Sequence, residues 1–190
     1  MNSNELFLPD DERAEARSAQ AGDYYLLLVP EDTAVTLTWQ RPLQQRFGGQ
    51  CTDPVHVSLQ RFVCENEARI QQLADALETT LLPYPPIPII GRSLFSLYSD
   101  FRQENILKCE VERPAELVRI TQTINQMLVR LKIETTFATA STWITVLDGI
   151  DKTTEDQILF PQPLFMATRL LCSQIVGTGR YRVVWQLDFE

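Results

Sequence analysis

Two hexapeptides with the same layout constrain this chain more than anything else in it. Pro54-Val55-His56-Val57-Ser58-Leu59 alternates apolar with polar residues and carries the only histidine of the 190 residues. Thr142-Trp143-Ile144-Thr145-Val146-Leu147 repeats the layout, with Trp-x-Thr in place of His-x-Ser. In a strand, residues i and i+2 point to one face. His56 therefore stands beside Ser58, and Trp143 beside Thr145, while Val55, Val57, Leu59, Ile144 and Val146 pack behind them. The flanks repeat as well. An apolar run at 24–29, Pro30 and a helical stretch precede the first hexapeptide. Residues 106–111, Pro114 and a second helical stretch precede the other. Such a duplication of strand–helix–strand units implies an α+β fold with two lobes and a cleft between them.

The remaining elements follow from periodicity and punctuation. Tyr24-Tyr25-Leu26-Leu27-Leu28-Val29 is a continuous apolar run, the mark of a strand buried on both faces. Val35, Trp39, Leu43 and Phe47 recur every four residues and predict a helix opened by Asp32 or Thr33, with Pro42 set to kink or end it. Residues 65–82 give a second helix, with Ile70, Leu73, Ala74, Leu77 and Leu81 as its apolar stripe. Pro83-Tyr84-Pro85-Pro86-Ile87-Pro88 reads as a stiff extended connection without regular structure. Strands are expected at 94–101 and 106–111, joined by residues 102–105. Pro114 opens a third helix at its favoured first position, with Leu117, Ile120, Ile124, Leu128 and Leu131 inward. Two final strands, 165–176 and 181–189, flank a hairpin at Gly177-Thr178-Gly179-Arg180. Residues 1–22 read as a polar, peripheral segment, and 23–190 as a single bilobal domain.

Composition narrows the partners. A net charge of −8 argues against an extended nucleic-acid surface, which needs clustered lysine and arginine. No apolar run approaches the roughly 20 residues that cross a bilayer, and the first 22 lack a signal-peptide core, so a cytoplasmic protein is expected. Cys51, Cys64, Cys109 and Cys172 form no metal-ligand spacing and are expected to be reduced and mostly buried. No cofactor is called for. No glycine-rich phosphate loop is present. Taken alone, His56 reads first as a satisfied, half-buried strand residue and only second as a site residue, and Trp143 reads as a packing residue that fills the cleft before a stacking platform.

The ordered set of features resembles the 2H phosphoesterase superfamily, which includes the 2′-5′ RNA ligase-like proteins and 2′,3′-cyclic phosphodiesterases. The resemblance spans residues 24–189. It rests on Tyr25-Leu26-Leu27-Leu28-Val29-Pro30, on the two hexapeptides, and on the 170–189 tail with Tyr181. It implies two antiparallel sheets flanked by helices, with a pseudo-two-fold axis and one histidine and one hydroxyl from each lobe in a shared cleft. By position these are His56 with Ser58 and, from the second lobe, Thr145. Trp143 occupies the second histidine's place.

In relatives with both imidazoles, one takes a proton from the attacking water and the other protonates the leaving oxygen, roles suited to a group that titrates near neutrality. Trp143 has one N–H donor and no acid–base function near pH 7, so it would stack on a base or donate to a phosphate oxygen. Tyr98, Arg169 and Tyr181 are further candidate ligand contacts. The implied function is binding of a small phosphate ester or nucleotide end of the 2′,3′-cyclic kind, with weak or lost hydrolysis. The alternative is an interaction or regulatory module that keeps the fold and binds a protein partner.

Overall fold

The computed structural model describes residues 19–136, 143–154, 156–177 and 180–190. Most of the expected N-terminal segment, Thr142, and the middle of the Gly177–Arg180 turn lie outside the described residues. In chain order the elements are β1 (Tyr24–Val29), α1 (Ala34–Phe47), β2 (Gln50–Cys51), β3 (Val57–Val63), α2 (Glu67–Leu81), β4 (Ile87–Ser99) and β5 (Glu104–Val111). Then follow α3 (Ala115–Arg130), β6 (Glu134–Thr135), β7 (Trp143–Asp148), β8 (Ile158–Leu159), β9 (Pro163–Ala167), β10 (Arg169–Gly177) and β11 (Arg180–Asp188). One antiparallel sheet has the order β11-β10-β1-β3-β6, and the other β2-β7-β5-β4-β8, with β9 added to β4. Three helices on two antiparallel sheets make this an α+β fold.

The duplication is visible in the pairing. β1 lies between β3 and β10, and β5 lies between β7 and β4, all antiparallel. The helices are exchanged between halves: α1 packs on β7, β9 and β2 of the second sheet, whereas α3 packs on β3 and β6 of the first. β3 and β7 meet where the sheets adjoin, which brings the two hexapeptides together.

Several boundaries differ from the sequence reading. The strand expected from Leu94 begins at Ile87 and runs through Pro88. Pro88 is exposed and paired only with β9, because β5 joins β4 from Gly91 onward, so no ladder bond is lost on the proline's other side. The strand expected over 165–176 is two strands divided at Thr168, where the chain leaves β4 and crosses to β1. Ahead of β1, the Gly22 N–H donates to Ile175 O at 2.8 Å. Among the described residues no helix is long and apolar enough to cross a membrane.

Helix α1 continues through the exposed Pro42, and its inward stripe is shifted. Val35 is 43% exposed, and Thr36 and Gln40 are buried instead. The Thr36 hydroxyl donates to Gln40 Oε1 at 2.8 Å, which turns the Gln40 amide N–H groups toward Val146 O (2.8 Å) and Thr52 O (3.0 Å). A buried carbonyl must be paired, so this amide ties α1 to the start of the cleft. Gln40→Leu is expected to lower stability by about 1–3 kcal/mol, read as a reduced urea midpoint at unchanged slope. A loss below about 0.5 kcal/mol would mean the amide is dispensable.

Candidate functional site

Strict alternation cannot place the site, because each hexapeptide strand contains a register break one residue after its hydroxyl. On β3, Gln60 pairs with Leu26 and Ser58 with Leu27, so Leu59 is skipped. On β7, Leu147 pairs with Leu107 and Thr145 with Lys108, so Val146 is skipped. A bulge of this kind flips the phase of the residues beyond it. Arg61 thereby joins the face of Ser58, and Asp148 the face of Thr145. The skipped Leu59 and Val146 are fully buried on the opposite side. His56, Ser58 and Arg61 thus answer Trp143, Thr145 and Asp148 across the pseudo-two-fold.

The result is a cavity of about 280 Å³ between the lobes. His56, Ser58 and Arg61 line it from the first lobe, and Lys108 and Thr145 from the second. Arg102, from the β4–β5 turn, and Tyr181, from β11, complete the polar wall. A second cavity of about 200 Å³ adjoins it and shares His56, Arg102 and Tyr181.

His56 sits immediately before β3, half-buried, with Val55 and Val57 fully buried on either side. Its Nδ1 lies 2.8 Å from Pro54 O. A carbonyl only accepts, so Nδ1 carries the proton and Nε2 is the nitrogen that can accept one. Burial pushes the imidazole below its ordinary value, and the charges of Arg102 and Lys108 add to this. The Pro54 hydrogen bond and the Asp148 carboxylate pull it partly back. The ring is therefore neutral at pH 7, with a basic Nε2.

This depression has a stability consequence. Between the folded value and about 6.5, the unfolded chain takes up a proton that the folded chain refuses. Stability is then complete above about pH 6.5 and falls as pH drops through that window, by up to about 1.4 kcal/mol per pH unit. His56→Gln is expected to remove this increment. Urea midpoints from about pH 5 to about pH 7 test it, and parallel curves for parent and variant would refute it.

The surrounding groups are fixed in place. Arg61 is 6% exposed. It donates from Nε to Thr136 Oγ1 (2.7 Å) and from Nη2 to Thr136 O (2.9 Å), with the buried Asp23 carboxylate 3.8 Å away. Arg102 is ion-paired with Asp148, whose other oxygen accepts from Thr52 Oγ1 at 2.9 Å. Tyr181 has its phenol pushed up by burial and by the neighbouring Tyr25 and Asp148, against a hydrogen bond from Arg102, so it stays protonated. Gly49 lies beside this network with φ +79°, and a Cβ there would come within 2.3 Å of Asp148 O, so glycine is required.

Of the residues singled out from the sequence, His56, Ser58, Thr145 and Tyr181 line the same cavity. Trp143 shares the face of Thr145 but packs edge-on against Phe95, with ring centroids 5.4 Å apart, and is not among the lining residues. Tyr98 is 53% exposed and Arg169 pairs with Asp188; neither lines either cavity. Arg61, Arg102 and Lys108 were missed. For Lys108 a signal existed: Leu107, Cys109 and Val111 alternate around it, so it must face away from the core.

No family model and no curated protein matches the chain. Solved structures do. A phosphoesterase matches with a TM-score of 0.63 at 9% identity, over 88% of this chain and 98% of its own. Escherichia coli LigT in its apo form matches at 0.61 and 11%, over 90% and 99%. Usb1 of Kluyveromyces marxianus matches at 0.51 and 13%, over 89% and 99%. LigT is also matched in complexes with phosphate, 3′-AMP, NADP+ and ATP. Fold and cleft together define a bilobal α+β protein with a polar cavity between its lobes. Its fold is that of the 2H phosphoesterases.

Proposed function

We propose that the cleft binds a small phosphate ester or nucleotide end, of the 2′,3′-cyclic phosphate kind, and hydrolyses it weakly or not at all. One observation carries this reading. In a chain of net charge −8, the cavity that holds His56, Ser58 and Thr145 is lined by Arg61, Arg102 and Lys108, with no carboxylate among the described lining residues, while Asp23 and Asp148 stand outside it as counter-charges of the two arginines. Focused positive charge of this kind draws an anion into a recess. The LigT complexes with phosphate and 3′-AMP support the same ligand class. The reading treats residues 23–190 as one functional unit, because both lobes supply the walls.

In this scheme the hydroxyls of Ser58 and Thr145 donate to phosphoryl oxygens and hold the phosphorus over His56 Nε2, the base for an attacking water. No second imidazole stands opposite, so the leaving oxygen lacks its usual acid. The absence of one such group costs about 10²–10⁴-fold in rate. Trp143 lies to the side and leaves the recess open, which favours ligand binding over a purely structural module.

Calorimetric titration with 2′,3′-cyclic AMP is the test. Binding is expected, and Ser58→Ala with Thr145→Val should weaken it by on the order of 10²-fold, two hydrogen bonds to a charged group being lost. Absence of binding by the parent up to about millimolar ligand, a free energy near 4 kcal/mol, would overturn the reading.

A further inference from the structure

The second histidine's place is taken by a residue that does not enter the cavity, yet the position keeps a cation next to it. Lys108 pairs directly with Thr145 across β5 and β7, and it lines the cavity. Its ammonium lies 5.5 Å from the centroid of the Trp143 ring. That ring is in turn backed by Phe95, edge-on at an interplanar angle of 76°. An ammonium over an indole face is held by the ring's quadrupole, and indole does this better than any other side chain. Trp143 and Thr145 share one strand face, so the indole holds the ammonium on the side where a phosphate between the hydroxyls would expose its oxygens.

From this we infer that Lys108 is the second lobe's phosphate ligand and that Trp143 is its positioning residue, holding the ammonium beside Thr145. This rests on the proposed phosphate-binding reading and deepens it. Trp143 then has a role other than stacking on a nucleobase. A lysine on a flexible stem binds phosphate as a point charge, so its placement depends on what its stem and head rest against. The Trp143 ring supplies that rest, and Phe95 fixes the ring. The same pair accounts for a site that binds without turning over. An ammonium opposite the base neutralises phosphoryl charge, and it is not the imidazole that would protonate the leaving oxygen.

A double-mutant cycle on binding of 2′,3′-cyclic AMP and of inorganic phosphate, followed by calorimetry, tests this. Lys108→Met should weaken both ligands about 10–100-fold, the loss of one charge-assisted contact. Trp143→Leu should weaken them about 3–30-fold, whereas Trp143→Phe, which keeps an aromatic face, should stay within about threefold of the parent. In the Lys108→Met background, Trp143→Leu should change affinity by less than about twofold, because the residue acts only through the ammonium. A packing role would instead give additive losses and no rescue by phenylalanine.

Lys108→Arg and Trp143→Phe are the mild variants on which the comparison stands if the larger truncations fail to fold. For them, an affinity loss of about threefold or more at Lys108→Arg supports a placed point charge, and unchanged affinity in every folded Lys108 variant overturns the assignment. A parent that binds neither ligand removes the phosphate reading itself. A parent that binds both, with additive mutants, removes only the role of Trp143.

Discussion

Asp148→Ala is expected to cost about 3 kcal/mol of stability. Asp148 and Arg102 form an ion pair in which the side chains are 21% and 17% exposed. Truncating the carboxylate leaves a largely buried guanidinium without its counter-charge, and it also removes the acceptor of the Thr52 hydroxyl. Breaking one side of a buried pair typically costs about 3–5 kcal/mol, and the residual exposure places this pair at the low end. Arg102→Met combined with Asp148→Ala should return to within about 1 kcal/mol of the parent, because no uncompensated charge remains. Guanidinium chloride unfolding of the single and double variants measures both. A cost below about 1 kcal/mol for Asp148→Ala would show that water screens the pair.

The same variant carries a second readout. The Asp148 carboxylate raises the His56 value, and Arg102 lowers it. With the carboxylate gone, His56 should titrate lower still, so the acid-side loss of stability should extend to lower pH and grow in total. The chain has one histidine, so a single imidazole proton signal reports this without assignment work.

These two residues also show how far the sequence reaches. His56, Ser58 and Thr145 were legible because their alternation survives up to the hydroxyl on each strand. Arg61 and Asp148 were not, because they lie beyond a bulge, and period-2 counting assigns them to the buried side. A bulge leaves no clear mark in composition: the skipped residues are leucine and valine, ordinary strand formers. Arg102 falls in the connection expected over residues 102–105, but its reach to Asp148 is a property of how the two strands adjoin. The helices read well because α2 and α3 each bury one stripe. In α1 the threonine and glutamine that replace Val35 on the inner face look like surface residues until their mutual hydrogen bond is seen. The exchange of α1 and α3 between halves could not be read at all, since either packing satisfies the same periodicity.

Trp143→His is expected to raise turnover of a 2′,3′-cyclic nucleotide by on the order of 10²-fold, the low end of what one acid–base group contributes. The imidazole would arrive on the strand face of Thr145, opposite His56 across the pseudo-two-fold, where a leaving oxygen needs a proton. Two local facts limit the gain. The Lys108 ammonium, now 5.5 Å above the ring to be replaced, would depress the new imidazole by like-charge repulsion, so less of it is protonated at pH 7. The rate should therefore rise as the pH is lowered from neutral, until His56 itself takes up a proton and ceases to be a base. Loss of the indole would also release Lys108, so KM should increase while kcat increases, a split that separates binding from chemistry. Replacing the edge-on contact with Phe95 and the cation–π contact should cost about 1–2 kcal/mol, which a folded variant tolerates. His56→Ala in the Trp143→His background should abolish the gain, because two imidazoles acting on one phosphorus do not contribute additively. A folded Trp143→His protein no faster than the parent on several cyclic phosphates would place the deficit elsewhere in the cleft, in the hydroxyls or in the approach of water to His56.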